Sequence, residues 1–124
     1  MSDNTQRHRD VGEDVQNSIS GAAELFNLLG NERRIRVLRE LSQRDNKAFL
    51  VADIADSVAK REFGDGFGSE QRRSVYVALY QCHLLCLGEG CLISYNQDSA
   101  VIRRGSKFEQ AMDVLDGVLR TGCM

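Results

Sequence analysis

A chain of 124 residues that is 42% hydrophobic and 27% charged has the size and balance of one compact folded domain, which excludes a second catalytic domain and a disordered polymer. Sixteen basic and eighteen acidic residues leave a net charge of −2, so the chain is not a uniformly basic nucleic-acid binder and any such argument must be local. No apolar run reaches the ~18 residues of a membrane helix, and the first twenty residues lack the apolar stretch of a secretory signal, which predicts a cytoplasmic protein with no membrane partner.

Residues 1–19 are polar and mixed in charge, and read as a flexible N-terminal arm. From Ser20, an available N-cap, Ala22, Leu25, Phe26 and Leu29 recur at helical spacing until Gly30 interrupts. Asn31 can cap a second helix in which Ile35, Val37, Leu38 and Leu41 face inward. Around its outside lie Arg33, Arg34, Arg36 and Arg39, which read either as a solvated face with partners such as Glu40 for Arg36 or as contacts to phosphate. Lys47 to Leu50 has room only for a short strand or extended link.

Val51, Ile54, Ala55, Val58 and Ala59 repeat at three and four, which predicts an amphipathic helix over residues 51–62. The glycine-rich stretch 64–68 breaks it, and Ser69 can cap the longest helix, over residues 70–87. On an ideal wheel Tyr76, Tyr80, Leu84 and Leu87 form its inward face, flanked by Leu79 and His83, with Ala78, Cys82, Leu85 and Cys86 opposite. Residues 92–95 and 100–103 are β-prone runs on either side of Asn96 to Ser99, and read as a hairpin. Ser106 and Glu109 have capping-box spacing, and Phe108, Met112, Leu115 and Leu119 give the last helix an apolar stripe.

This order of elements is that of a winged helix-turn-helix domain. Leu28 to Leu38, with its short loop before an Arg-bearing helix, Val51-Ala52-Asp53-Ile54-Ala55, and His83-Leu84 through Leu87 to Leu92-Ile93 together resemble ArsR-like winged-helix proteins. Arg72-Arg73, Val75-Tyr76, Leu79-Tyr80-Gln81 and Tyr95-Asn96-Gln97-Asp98 resemble a haloarchaeal branch of that superfamily, over about residues 25–104. Leu85 and Cys86 stand where that branch usually has Pro and a basic residue, and Cys91 where winged helices usually place Gly. The expected fold is therefore mainly α with a small β-hairpin: an arm over 1–19, a winged helix-turn-helix over 20–105, and a C-terminal helix and tail over 106–124.

The resemblance implies a transcriptional regulator that binds double-stranded DNA, with the long helix in the major groove and the wing on the backbone. Gln71, Arg72, Ser74 and Gln81 are then the candidates for reading bases, while Arg73, Arg103, Arg104 and Lys107 would hold phosphates. The apolar outer side of the long helix suggests a cover, either the final helix or a second subunit, and Phe108, Met112, Leu115 and Leu119 are the expected homodimer contacts.

Two other readings compete. Cys82, Cys86 and Cys91 could hold a metal or form a redox pair, but no CxxC is present and buried, unreactive thiols are the simpler expectation, with Cys123 incidental at the chain end. A winged helix can also bind protein without touching DNA. No cofactor is implied, and with only His8 and His83 and no nucleophile at readable spacing, catalysis is not expected.

Overall fold

The computed structural model describes the backbone of residues 2–121 and the side chains of residues 16–120. The protein is mainly α-helical with a small three-stranded sheet. Helix α1 spans Ser2–Leu29, α2 Glu32–Ser42, β1 Phe49–Leu50 and α3 Val51–Phe63. Helix α4, Ser69–Ala78, passes through a π-helical turn, Leu79–His83, into α5, Leu84–Glu89; β2 (Ile93–Asn96), β3 (Val101–Arg104) and α6 (Phe108–Thr121) complete the chain.

Asn31 stops α1 and starts α2: its extended backbone leaves the helical path, and its side chain accepts from Arg34 N–H at 3.2 Å. Val37, Leu38 and Leu41 of α2 then meet Val51, Ile54, Ala55, Val58 and Ala59 of α3 in one core, as their spacing indicates. Gly64 ends α3 with φ +87°, a left-handed conformation that a side chain would strain. The first helix begins at Ser2 rather than Ser20, so the expected arm is its N-terminal half. Gln16 to Ser20 are exposed all round, and a helix that buries nothing leaves no apolar period to detect.

The long helix differs from an ideal wheel in an instructive way. Its buried positions are Val75, Leu79, Leu84 and Leu87, not Tyr76 and Tyr80. The step from Leu79 to Leu84 is five residues, and the π turn absorbs it, with Leu84 N–H donating to Leu79 O. Tyr76 and Tyr80 are thereby turned toward the hairpin, with Tyr76 stacked on Tyr80 at 5.9 Å and Tyr80 edge-on to Tyr95 at 6.2 Å.

The sheet is antiparallel in the order β1-β3-β2, with Phe49, Ile102 and Tyr95 in one row and Leu50, Val101 and Asn96 in the next. Because strand side chains alternate, Ile102 and Arg104 share the inner face while Val101 and Arg103 face out. The hairpin closes one residue later than its β-prone runs indicate, through Gln97 to Ala100, with Ala100 left-handed at φ +56°. Its carbonyl accepts from Val51 N–H at 3.0 Å, tying the turn to α3.

Helix α6 starts at Phe108 and not at a Ser106 cap; its first turn closes with Ala111 N–H on Lys107 O. Its apolar stripe is real, but Phe108, Met112 and Leu115 are buried in the chain's own core and only Leu119 of the expected dimer set reaches the surface. These three side chains therefore cannot form an interface between copies without unpacking the domain.

Candidate nucleic-acid interface

The first turn of α4 is organised by Gly68 and Gln71. Gly68, not Ser69, occupies the N-cap, and its N–H donates to Gln71 Oε1 at 2.7 Å, so the Gln71 side chain folds back over the helix end. Arg72 leans onto α3: its Nε lies 2.6 Å from Asp56 Oδ1 and its Nη2 donates to Oδ2 at 3.1 Å. This half-exposed, two-point pair links α3 to α4, a role within the chain that the base-reading expectation for Arg72 overlooks. Arg73 and Ser74 are exposed, and Arg73 has no ion-pair or hydrogen-bonding partner among the described residues.

One and two turns on, Val77 and Gln81 point outward, followed by Cys82 and Leu85. Leu85 lines a shallow hollow with Ser94 and Tyr95 of β2, and Ser94 is the cross-strand partner of Arg103. The outer face of the long helix thus meets the outer face of the hairpin at this hollow, which Glu89 also lines. There Arg103 is exposed and without a side-chain partner among the described residues.

Tyrosines hold the hairpin in this position. The π turn takes Leu84 N–H away from the Tyr80 carbonyl, which instead accepts from Tyr95 Oη at 3.3 Å, while Tyr80 Oη donates to Gln97 O at 3.1 Å. Burial, with Tyr80 and Tyr76 close by, pushes the Tyr95 hydroxyl up to about 12, so it remains a donor at neutral pH.

The other two expected phosphate contacts do not join this surface. Arg104 is turned inward: its guanidinium donates to the carbonyls of Leu41, Arg44 and Asn46 and lies over the rings of Phe49 and Phe108 at 5.3 and 5.5 Å. It closes the C-terminal end of α2, where a cation complements the helix dipole. Lys107 borders a cleft between α1 and α6 with Leu25, Phe26 and Val114, beside α1 rather than α4.

Two of the four α2 arginines, Arg33 and Arg34, are cross-links to other elements. Arg33 pairs with Glu62 of α3 at 2.9 Å, and Arg36 with Glu32, one turn back, at 2.7 Å rather than with Glu40. Buried Glu40 instead takes Arg44 and Arg61. Arg34 Nε donates to His83 Nδ1 at 3.3 Å, joining α2 to the π turn. Burial first, then the charges of Arg34 and Arg33, lower the His83 pKa against the opposing pull of Glu62, so the imidazole is a neutral acceptor at pH 7. Arg36–Glu32 and Arg44–Glu40 have the four-residue spacing of neighbours on a helix, whereas nothing in the sequence pattern marks Arg33–Glu62, Arg61–Glu40 or Arg34–His83, which join residues far apart in the chain.

Cys82 and Cys91 are exposed and Cys86 half-buried, contrary to the expectation of buried thiols. Among the described residues no group of three or more His, Cys, Asp or Glu is placed to hold a metal ion; Cys123 lies outside them. Cys91 has φ +64°, so the position before β2 does require the left-handed backbone that glycine favours. No described helix is long and apolar enough to cross a membrane.

Neither a curated protein nor a solved structure matches the chain. Residues 26–103, from the end of α1 to the middle of β3, match the family described as "Domain of unknown function (DUF7344)", and the chain belongs to that family.

Proposed function

We propose that the protein is a double-stranded DNA-binding transcriptional regulator of winged helix-turn-helix type. The long helix α4 to α5 would enter the major groove and the β2–β3 hairpin would lie on the backbone. The observation that carries this reading is the adjoining outer faces of helix and hairpin, headed by Arg73 and bordered by Arg103, two cations without partners among the described residues. Gln71, Ser74 and Gln81 lie between or beside them as uncharged hydrogen-bonding groups suited to base edges. Residues 70–107 carry a net +2 within a chain of net −2, and of their five basic residues Arg73 and Arg103 are the two that lie on this face.

Fluorescence anisotropy with mixed duplex DNA at about 50 and about 200 mM salt tests it. The plot of log affinity against log salt is expected to lose about 0.9 in slope for Arg73→Ala and again for Arg103→Ala, with weaker binding to every sequence. Unchanged slopes in both variants would remove these arginines from the interface. A protein-binding module is the alternative, favoured by the exposure of Val77 (40%) and Leu85 (38%) on the same face; it requires that no duplex bind at all.

The second proposed partner is another copy of the chain. With the α6 stripe used internally, a large outward apolar group beside it is Phe26 of α1, 61% exposed at the edge of the cleft between α1 and α6. Reading two half-sites one turn of DNA apart would require a twofold axis that spaces the two long helices by about 34 Å. Phe26→Asp is expected to shift sedimentation from dimer to monomer and to weaken binding to a two-half-site duplex by about 100-fold. A wild-type monomer at micromolar concentration would contradict it.

A further inference from the structure

Residues 74–88 contain no Asp, Glu, Lys or Arg; the uncharged stretch is bounded by Arg73 and Glu89. His83, within it, is held neutral and half-buried against Arg34. Yet Ser74, Val77, Gln81, Cys82 and Leu85 all face solvent. Ser74, Val77, Ala78 and Gln81 are spaced three and four apart and form one stripe, in which a hydroxyl, an isopropyl group and a carboxamide follow each other. An exposed helix face is ordinarily charged, and an exposed protein-docking face is ordinarily anchored by aromatic side chains or Arg. This face is neither.

Its flanks indicate what it fits. Arg73 at the head and Arg103 across the hairpin place positive charge on two borders of an uncharged strip that ends at Glu89, an arrangement inverse to a DNA major groove, where uncharged base edges lie between two rows of phosphates. The apolar group that the major groove offers is the thymine C5-methyl, and a carboxamide is the side chain that matches adenine N6 and N7. On these grounds, and resting on the DNA-binding reading above, we infer that Val77 packs on a thymine methyl group while Gln81, one turn on, hydrogen-bonds an adenine, so that the protein selects A·T pairs in the major groove.

The test separates this inference from the reading beneath it. Duplexes enriched by the wild-type protein from a randomised library are resynthesised with deoxyuridine in place of individual thymines, which deletes the methyl and leaves the pairing edge intact. Affinity is expected to fall about fourfold at each contacted methyl. Val77→Ala, at an exposed helical position where alanine is well tolerated, is expected to bring the thymine-to-uracil ratio close to one at that site with the salt slope unchanged. Gln81→Ala is expected to relax selection for the adenine. Equal affinity for thymine and uracil duplexes at every position, with binding intact, would overturn the methyl contact and leave DNA binding standing. A uracil penalty that persists in Val77→Ala would overturn its assignment to this residue. Failure of the wild-type protein to enrich or bind any duplex would overturn both.

Discussion

Arg104→Met is expected to lower the unfolding free energy by about 3 kcal/mol and the melting temperature by about 10 °C, although the substitution keeps an unbranched apolar stem. The guanidinium of Arg104 serves three carbonyls, those of Leu41, Arg44 and Asn46, while its carbon lies over Phe49 and Phe108. Hydrogen bonds to a charged donor contribute roughly 1.5–3 kcal/mol each, and groups left unmatched in a half-buried site carry a desolvation cost in addition. Methionine ends one atom short of the guanidinium carbon that lies over the two rings, and supplies no donor. Arg104→Lys is expected to recover only about 1 kcal/mol, because an ammonium on a single stem cannot reproduce a planar fork aimed at several acceptors. Urea unfolding of the three proteins gives the comparison. Were Arg104 a phosphate contact, the same substitution would instead reduce the salt slope of DNA binding and leave stability nearly unchanged.

That arginine also shows where a sequence becomes hard to read. Arg103 and Arg104 look equivalent in the primary structure, yet a strand places neighbours on opposite faces, so Arg104 falls in line with buried Ile102 and Arg103 does not. The alternation is a local signal, hidden when two adjacent arginines are read as one basic patch. Helices α2 and α3 were legible because their signals are local: a capping Asn31, apolar residues three and four apart, and a left-handed Gly64 as a stop. The stripe on α6 was legible as a buried face, but periodicity says that a face is covered and not by what, and the cover is the domain's own core. The π turn was hidden by an accident of composition. Tyr76, Tyr80, Leu84 and Leu87 satisfy ideal helical spacing, whereas the true inward set of Val75, Leu79, Leu84 and Leu87 contains a step of five. The tyrosines, amphipathic, were free to turn to the hairpin. Of the candidate site, residue types and the helix that bears them could be read, but the Asp56 partner of Arg72 and the inward turn of Arg104 are tertiary facts.

Gly105→Ala is expected to be comparably damaging, at about 3 kcal/mol, for a reason that has nothing to do with backbone freedom. A Cβ at this position would stand 2.8 Å from Ile93 N and 2.8 Å from the Leu92 carbonyl carbon, and closer still to Cys91 O. All three are backbone atoms of the segment that leads into β2, so no side-chain rotation can relieve the collision. The same atoms are tied down by hydrogen bonds: Gly105 N–H donates to Leu92 O at 3.0 Å and Lys107 N–H to Cys91 O at 2.9 Å. Making room must therefore separate the exit of β3 from the entry of β2 and lift the start of α6, where Phe108 N–H donates to Gly105 O at 3.2 Å. Because Cys91 is already left-handed at φ +64°, the segment being pushed has little conformational freedom left to yield. Gly21→Ala is the matched control: nothing lies within 4 Å of the added methyl, the site is exposed within α1, and the exchange is expected to stabilise by up to about 1 kcal/mol through helix propensity. Thermal unfolding of both variants should move in opposite directions from wild type. A Gly105→Ala protein as stable as wild type would mean that the exit of β3 and the entry of β2 do not approach each other as closely as described.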